Sequence, residues 1–218
     1  MVWLVPYSGS RSLKKSVLRL SKALVSGLVV TMISLMTIVE PIYFATTNGG
    51  KLKEARAILG VEVVGTPLQI DEIQSLDPVE VATKKARSYW SSLKKPLFVE
   101  DVALFIDAIN GLPGTYIDAF MKALGNEGIL EMLKGYKLRT ATAQTTIVYV
   151  DGKGTEHFFV GKTAGSIALK PRGGGFGWDP IFIPRGSKKT FGEMDLDEKN
   201  KFSMRARALL KFKKSLGF

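Results

Sequence analysis

The sequence predicts an α/β protein on three observations. A short apolar run passes through turn residues into a helical pattern at 42–59. A second strand, a second helix and a buried strand follow between 61 and 99. From residue 140 the pattern changes to neighbouring strands joined by a tight turn, which marks a more antiparallel region.

Taken in order, Ile42, Tyr43, Phe44 and Ala45 make the first apolar run, Asn48-Gly49-Gly50 is turn chemistry, and residues 52–59 have helical spacing. Residues 61–64 read as a second strand. Pro78 suits a helix start, where its missing N–H costs nothing, and introduces residues 79–93 with Val81, Ala82, Ala86 and Tyr89 on one side. Leu97-Phe98-Val99 reads as a buried strand ending at Glu100-Asp101. Beyond the turn at 110–114, residues 117–133 read as amphipathic helices broken near Gly125. Residues 140–150 and 155–160 flank a hairpin turn, Asp151-Gly152-Lys153-Gly154. Strands at 165–169 and 181–183 bracket a Gly-rich segment, and one helix over 199–212 follows. With no internal repeat and no long linker, residues 39–218 read as one domain behind an extension at 1–38.

A chain of 218 residues with 45% apolar content can bury a substantial core. Having no cysteine, it excludes disulfide frameworks, thiolate zinc sites and cysteine nucleophiles. The net charge of +11 favours an anionic partner: nucleic acid, acidic membrane or nucleotide phosphate. Residues 1–35 hold five basic residues and no acidic one, so the body carries only +6. A nucleic-acid-binding protein is the main rival from another class. It needs a basic face with stacking aromatics or a recognised motif, and neither is found.

The apolar run at 23–39 behind a basic stretch has the layout of a secretory signal. Ser26, Gly27, Thr31, Ser34 and Thr37 interrupt it, however, and a spanning helix needs about 20 apolar residues. The preferred reading is an early start codon, with Met36 opening the protein just ahead of its first strand. A cytoplasmic location without stable membrane association is then expected.

Four segments carry candidate chemistry. Thr46-Thr47-Asn48-Gly49-Gly50-Lys51 lies where strand gives way to helix, so backbone N–H groups and Lys51 can face phosphate oxygens. It lacks the P-loop spacing, and alone it also fits an ordinary capped turn. Glu100-Asp101 at a strand terminus can bring two carboxylates to one cleft as a magnesium and general-base pair, or can be a solvated strand end. Glu72 is a further acid that could join a metal, though on its own it reads as a surface acid. In the segment from Gly173 to Pro180, Phe176 and Trp178 offer stacking faces and Asp179 an acceptor for a base edge, unless both rings are packed into the core. Lys199 and Arg205 present positive donors near one end of the last helix, although a solvated basic helix would look similar.

The order of these segments, together with Gly111-Leu112-Pro113-Gly114-Thr115-Tyr116 and Thr190-Phe191-Gly192-Glu193-Met194, resembles the inosine triphosphate pyrophosphatase family throughout residues 41–213. The resemblance implies a two-lobed α/β fold with a long mixed sheet, a nucleotide cleft between the lobes and a homodimer. It implies a purine nucleoside triphosphate as substrate and Mg²⁺ as cofactor, with hydrolysis of ITP, dITP or XTP to monophosphate and pyrophosphate. Position by position, Thr46, Asn48, Lys51 and Lys85 match triphosphate-binding residues, Glu72 and Glu100 match metal ligands, and Asp101 matches the acid that activates water. Phe176, Trp178, Asp179, Lys199, Ser203 and Arg205 match residues around the base. Two departures stand out: Val102-Ala103 replaces the family's Ser or Thr followed by Gly, and Met204 replaces a histidine associated with reading the purine.

Overall fold

In the computed structural model, which describes residues 41–66, 70 and 73–217, the first strand is only three residues long. The extension at 1–38 and Glu72 lie outside the described residues. From β1 (Ile42–Phe44) the chain enters α1 (Gly49–Leu59). Asn48 caps this helix, its Oδ1 accepting from Lys51 N at 3.1 Å. Because that cap already serves an N–H of the first turn, Gly49 and Gly50 begin the helix instead of forming the expected turn.

Strand β2 (Val63–Gly65) and helix α2 (Pro78–Leu93) come next. Asp77 caps α2 by accepting from Val79 N at 2.8 Å, and Pro78 occupies the first turn as its chemistry requires. The buried residues of α2 are Val81, Ala82, Ala86 and Tyr89, the face read from their spacing. Ala82, Ala86 and Tyr89 pack on Leu97, Val99, Val148 and Val150 of the sheet, and Val81 lines a cleft.

Strands β3 (Leu97–Ile106) and β4 (Pro113–Gly114) then lead to α3 (Ile117–Met132), which leaves helical geometry at Gly125 (φ 64°, ψ −170°). Strands β5 (Thr140–Val150), β6 (Glu156–Ile167) and β7 (Phe182–Pro184) precede helices α4 (Leu196–Phe202) and α5 (Met204–Ser215). The sheet runs β2-β1-β3-β5-β6-β7, with β4 also on β3. Its β2, β1 and β3 are parallel and the remaining pairings antiparallel, so the sheet is mixed.

Three differences from the sequence expectation have physical causes. β3 does not end at Glu100-Asp101; Val102 to Ile106 continue it, and ten of its residues pair with β5. β6 is unbroken where two strands were expected, because Gly161 and Gly165 serve close approach instead of ending the strand. A Cβ on Gly161 would lie 1.9 Å from Met204 O, and one on Gly165 would lie 2.3 Å from Ile183 O. The last helix is two helices. Ser203 (φ −60°, ψ 129°) ends α4 and caps α5, accepting from Ala206 N at 3.3 Å.

The long strands carry apolar cores at both ends, one on each face of the sheet at the first end. Leu97, Phe98, Val99, Ile147, Val148 and Val150 pack with α1, α2 and α5 at one end of the sheet. Leu104, Ile106, Ala141 and Ala143 pack with α3, Trp178, Phe182 and Phe191 at the other. Between them lies a polar belt of Glu100, Gln144, Thr145 and Thr146, all buried. Two lobes thus share one sheet. Phe98, fully buried and stacked on Phe44 with ring centroids 4.2 Å apart, anchors the first; truncation to alanine there would cost about 3–5 kcal/mol.

Candidate active site

The sheet makes the site by an interruption. β1 pairs with β3 only as far as Phe98, and β4 begins pairing at Leu104. Among the described residues no strand covers the β3 edge between them, and the switch from a parallel to an antiparallel neighbour opens a crevice there. The chain leaving β1 turns at Ala45, whose N–H is held by Phe98 O at 2.9 Å, and Thr46 Oγ1 then accepts from Asn48 N at 3.1 Å. The N-terminus of α1 therefore faces the open edge. A cleft of about 910 Å³ lies against it.

Glu100 and Asp101 were expected to converge because the strand would turn. Instead the strand runs straight, and adjacent side chains fall on opposite faces. Glu100 shares a face with Phe98, toward α1 and α5, and Asp101 shares one with Val99, toward α2. Both still line the cleft, which wraps around the open edge.

Glu100 is the electrostatic centre. Its Oε1 meets Lys51 Nζ at 3.1 Å and Arg205 Nη2 at 3.0 Å, and its Oε2 meets Arg205 Nε at 2.8 Å. Burial alone would push this carboxyl up. The charges of Arg205 and then Lys51, with the hydrogen bonds of both, overcome that and hold it at about 2. Arg205, equally buried, is pushed above its ordinary value because Glu100 and Glu54 outweigh its own desolvation.

Glu54 is the residue that the sequence reading missed. Its Oε2 takes Arg205 Nη1 at 2.6 Å, and its Oε1 lies 3.7 Å from Lys199 Nζ. Lys199 in turn donates to Asp179 Oδ2 at 2.7 Å. Glu54 stands one helical turn beyond Lys51 on the same face of α1, a spacing that does not by itself mark it as a partner of Arg205.

At the far end of the cleft, Asp179 Oδ2 also accepts from Phe176 N at 3.1 Å, so it braces the Gly-rich loop. The two aromatics part company. Phe176 is 58% exposed at the cleft, whereas Trp178 is buried, edge-on to Phe182 with centroids 5.4 Å apart. Thr46, Asn48, Lys51, Lys85, Glu100, Asp101, Phe176, Trp178, Asp179, Lys199 and Arg205 all line the one cleft, as does Met204. Ser203 lies outside the lining, buried as the cap of α5, and Glu72 is beyond the described residues.

The carboxylates suit an oxygen-ligated cation. Glu100 is ionised, and its Oε2 takes one of the three cation bonds, leaving an acceptor site on that oxygen. Among the described residues no three acids or histidines stand together as a metal cage. The protein's share would be one or two carboxylates, as is usual for magnesium, which keeps waters and takes phosphate oxygens. The one histidine, His157, is engaged with Asp151 at 3.1 Å in the hairpin.

Fold and cleft define the class: an α/β protein whose mixed sheet opens a cationic and acidic crevice at a switch in strand direction. The Ham1 family model matches residues 42–215, and the chain belongs to that family. It is 44% identical over 173 residues to the dITP/XTP pyrophosphatase of Thermococcus kodakarensis, covering 78% of this chain and 93% of that one. It is 41% identical over 187 residues to the inosine triphosphate pyrophosphatase of Saccharomyces cerevisiae, covering 80% and 95%. Among solved structures, the HAM1 protein of Coxiella burnetii superimposes with a TM-score of 0.73 at 29% identity, over 81% of this chain and 98% of that one. Among the described residues no helix is long and apolar enough to cross a membrane.

Proposed function

We propose that this chain hydrolyses deaminated purine nucleoside triphosphates, ITP, dITP and XTP, to the monophosphate and pyrophosphate, and so cleanses the nucleotide pool. The observation that carries the reading is the polarity of the cleft. A helix N-terminus with Asn48 and Lys51 stands at one end, the Glu100–Asp101 pair at the middle, and an exposed ring, Phe176, beside Asp179 and Lys199 at the other. That order suits a triphosphate, its reacting phosphorus and a base. The names of the relatives from Thermococcus and yeast point to the same substrates.

In the proposed reaction Asp101 takes a proton from water as the water oxygen bonds to the α-phosphorus. The bond from that phosphorus to the bridging oxygen breaks, and pyrophosphate leaves with the electron pair, its charge met by Lys51 and Lys85. Glu72 and Glu100 would hold Mg²⁺, which would supply positive charge to the phosphate oxygens. Glu100 contributes a second effect through the protein itself, since it fixes Lys51 at the mouth of the phosphate end.

A 6-keto purine offers an acceptor where adenine offers a donor. Three of the five N–H groups of Arg205 already serve Glu54 and Glu100, so only the remaining two can read that oxygen, alongside Lys199. Met204, buried in the lining of the cleft, adds apolar contact and no donor. We also propose a homodimer working in the cytoplasm, a reducing setting that suits a chain without cysteine. The test is pyrophosphate release from ITP, XTP, GTP and ATP, with Mg²⁺ and with chelator. Turnover of ITP and XTP well above the other two, lost on chelation, is expected; equal turnover of all four would refute the purine assignment, and undiminished turnover in chelator would refute the cofactor.

A further inference from the structure

The Gly-rich loop that carries Phe176 has little stiffness of its own, for Gly173, Gly175 and Gly177 all adopt positive φ. Hydrogen bonds must hold it. Gly174 N donates to Gly192 O at 2.9 Å, Phe176 N to Asp179 Oδ2 at 3.1 Å and Asp179 N to Phe176 O at 3.1 Å. A further bond comes from α3. Asn126 Nδ2 donates to Gly177 O at 3.1 Å, across 51 residues of sequence.

Asn126 owes that reach to the break in α3. At Gly125 the chain leaves helical geometry for a single residue, so Asn126 departs from the direction that a continuous helix would give it. The part of α3 before the break, including Ile117 and Met121, lines the same cleft as Phe176 and Gly177. One kinked helix therefore lines the cleft and ties down the aromatic loop. The amide is not placed for its own comfort: its Oδ1 is buried without a hydrogen-bond partner among the described residues. Burying an unsatisfied amide oxygen is unfavourable, so an apolar side chain of similar size would suit stability better unless the bond to Gly177 serves the site.

We propose that Asn126 is a positioning residue that latches the Gly-rich loop from α3 and holds the Phe176 ring over the base end of the cleft. It rests on the reading of Phe176 as the base-facing ring. Asn126→Leu raises KM for ITP by roughly three- to tenfold, the span of one hydrogen bond, with kcat little changed. Inhibition by inorganic tripolyphosphate, which has no base, stays as in the wild type, and the thermal midpoint does not fall. A bond that merely held the fold together would lower the midpoint and weaken both ligands alike.

The experiment is a cycle of wild type, Asn126→Leu, Phe176→Ala and the double variant, with Asn126→Ser, too short to reach Gly177, as a second probe should the leucine fold poorly. In the Phe176→Ala background the Asn126 change adds nothing to KM. A raised KM in Phe176→Ala with wild-type KM in both Asn126 variants would overturn the latch alone. Wild-type KM in all variants would overturn the base-facing reading and the latch with it.

Discussion

Arg205 grips Glu100 with two parallel bonds, Nε to Oε2 at 2.8 Å and Nη2 to Oε1 at 3.0 Å, and so fastens the first turn of α5 to the middle of β3. A buried charge pair of this kind is costly to break because the survivor is left uncompensated. Arg205→Ala should lower unfolding free energy by about 3–5 kcal/mol, measured by denaturant titration, in addition to any change in base preference. An unfolding midpoint like that of the wild type would show that Lys51 alone suffices for Glu100.

Glu100 also sets an acid limit. Its folded value is about 2 against an ordinary 4.5, a depressed value. The stability it contributes is complete above 4.5 and is lost as pH falls from 4.5 through 2. Thermal midpoints followed across that window should drop more steeply for wild type than for Glu100→Gln. Asp151, also held at about 2, is present in both proteins and cancels in the comparison. Parallel curves would contradict the assignment.

Asp101 is the proposed base, and Asp101→Asn keeps its shape while removing its basicity. Turnover of ITP should fall by about 10²- to 10⁴-fold while calorimetric binding of the nucleotide stays within a few-fold. If turnover survives within tenfold, the water is activated by another group.

Gly161 is a packing position in β6. A methyl group there would meet Met204 O at 1.9 Å and Ala208 N at 2.8 Å, both backbone atoms that cannot turn aside. Gly161→Ala should destabilise by about 3 kcal/mol and displace α5, so that activity falls together with the thermal midpoint. Gly174→Ala, with nothing within 4 Å of its new Cβ, is the matching control for stability.

What the sequence disclosed followed from how local each feature is. The buried face of α2 is legible because Val81, Ala82, Ala86 and Tyr89 repeat at the helical period, and one sheet face answers Ala82, Ala86 and Tyr89. The order of site segments is legible because each sits at an element boundary with capping or turn chemistry of its own. Glu54 was not, because its meaning depends on Arg205, 151 residues away, and its own neighbourhood shows only an acid on a helix. Gly161 and Gly165 misled for the same reason. A glycine that ends a strand and one that admits a neighbouring backbone look alike until the neighbour is known. Ser203 reads as a helical residue by pattern, and only its dihedral angles expose the joint between α4 and α5.

The partnership across 105 residues also has an order in time. A ribosome that has delivered β3 and its neighbour β5 has placed a carboxylate in the middle of a sheet without its principal counter-ion. At translation rates of about 5–20 residues per second, Arg205 follows Glu100 by roughly 5–20 seconds. Through that interval Glu100 can be buried only by taking up a proton or by relying on Lys51. The centre of the sheet is therefore chemically unfinished until α5 emerges, and a nascent chain stalled before it should hold β3 open to water.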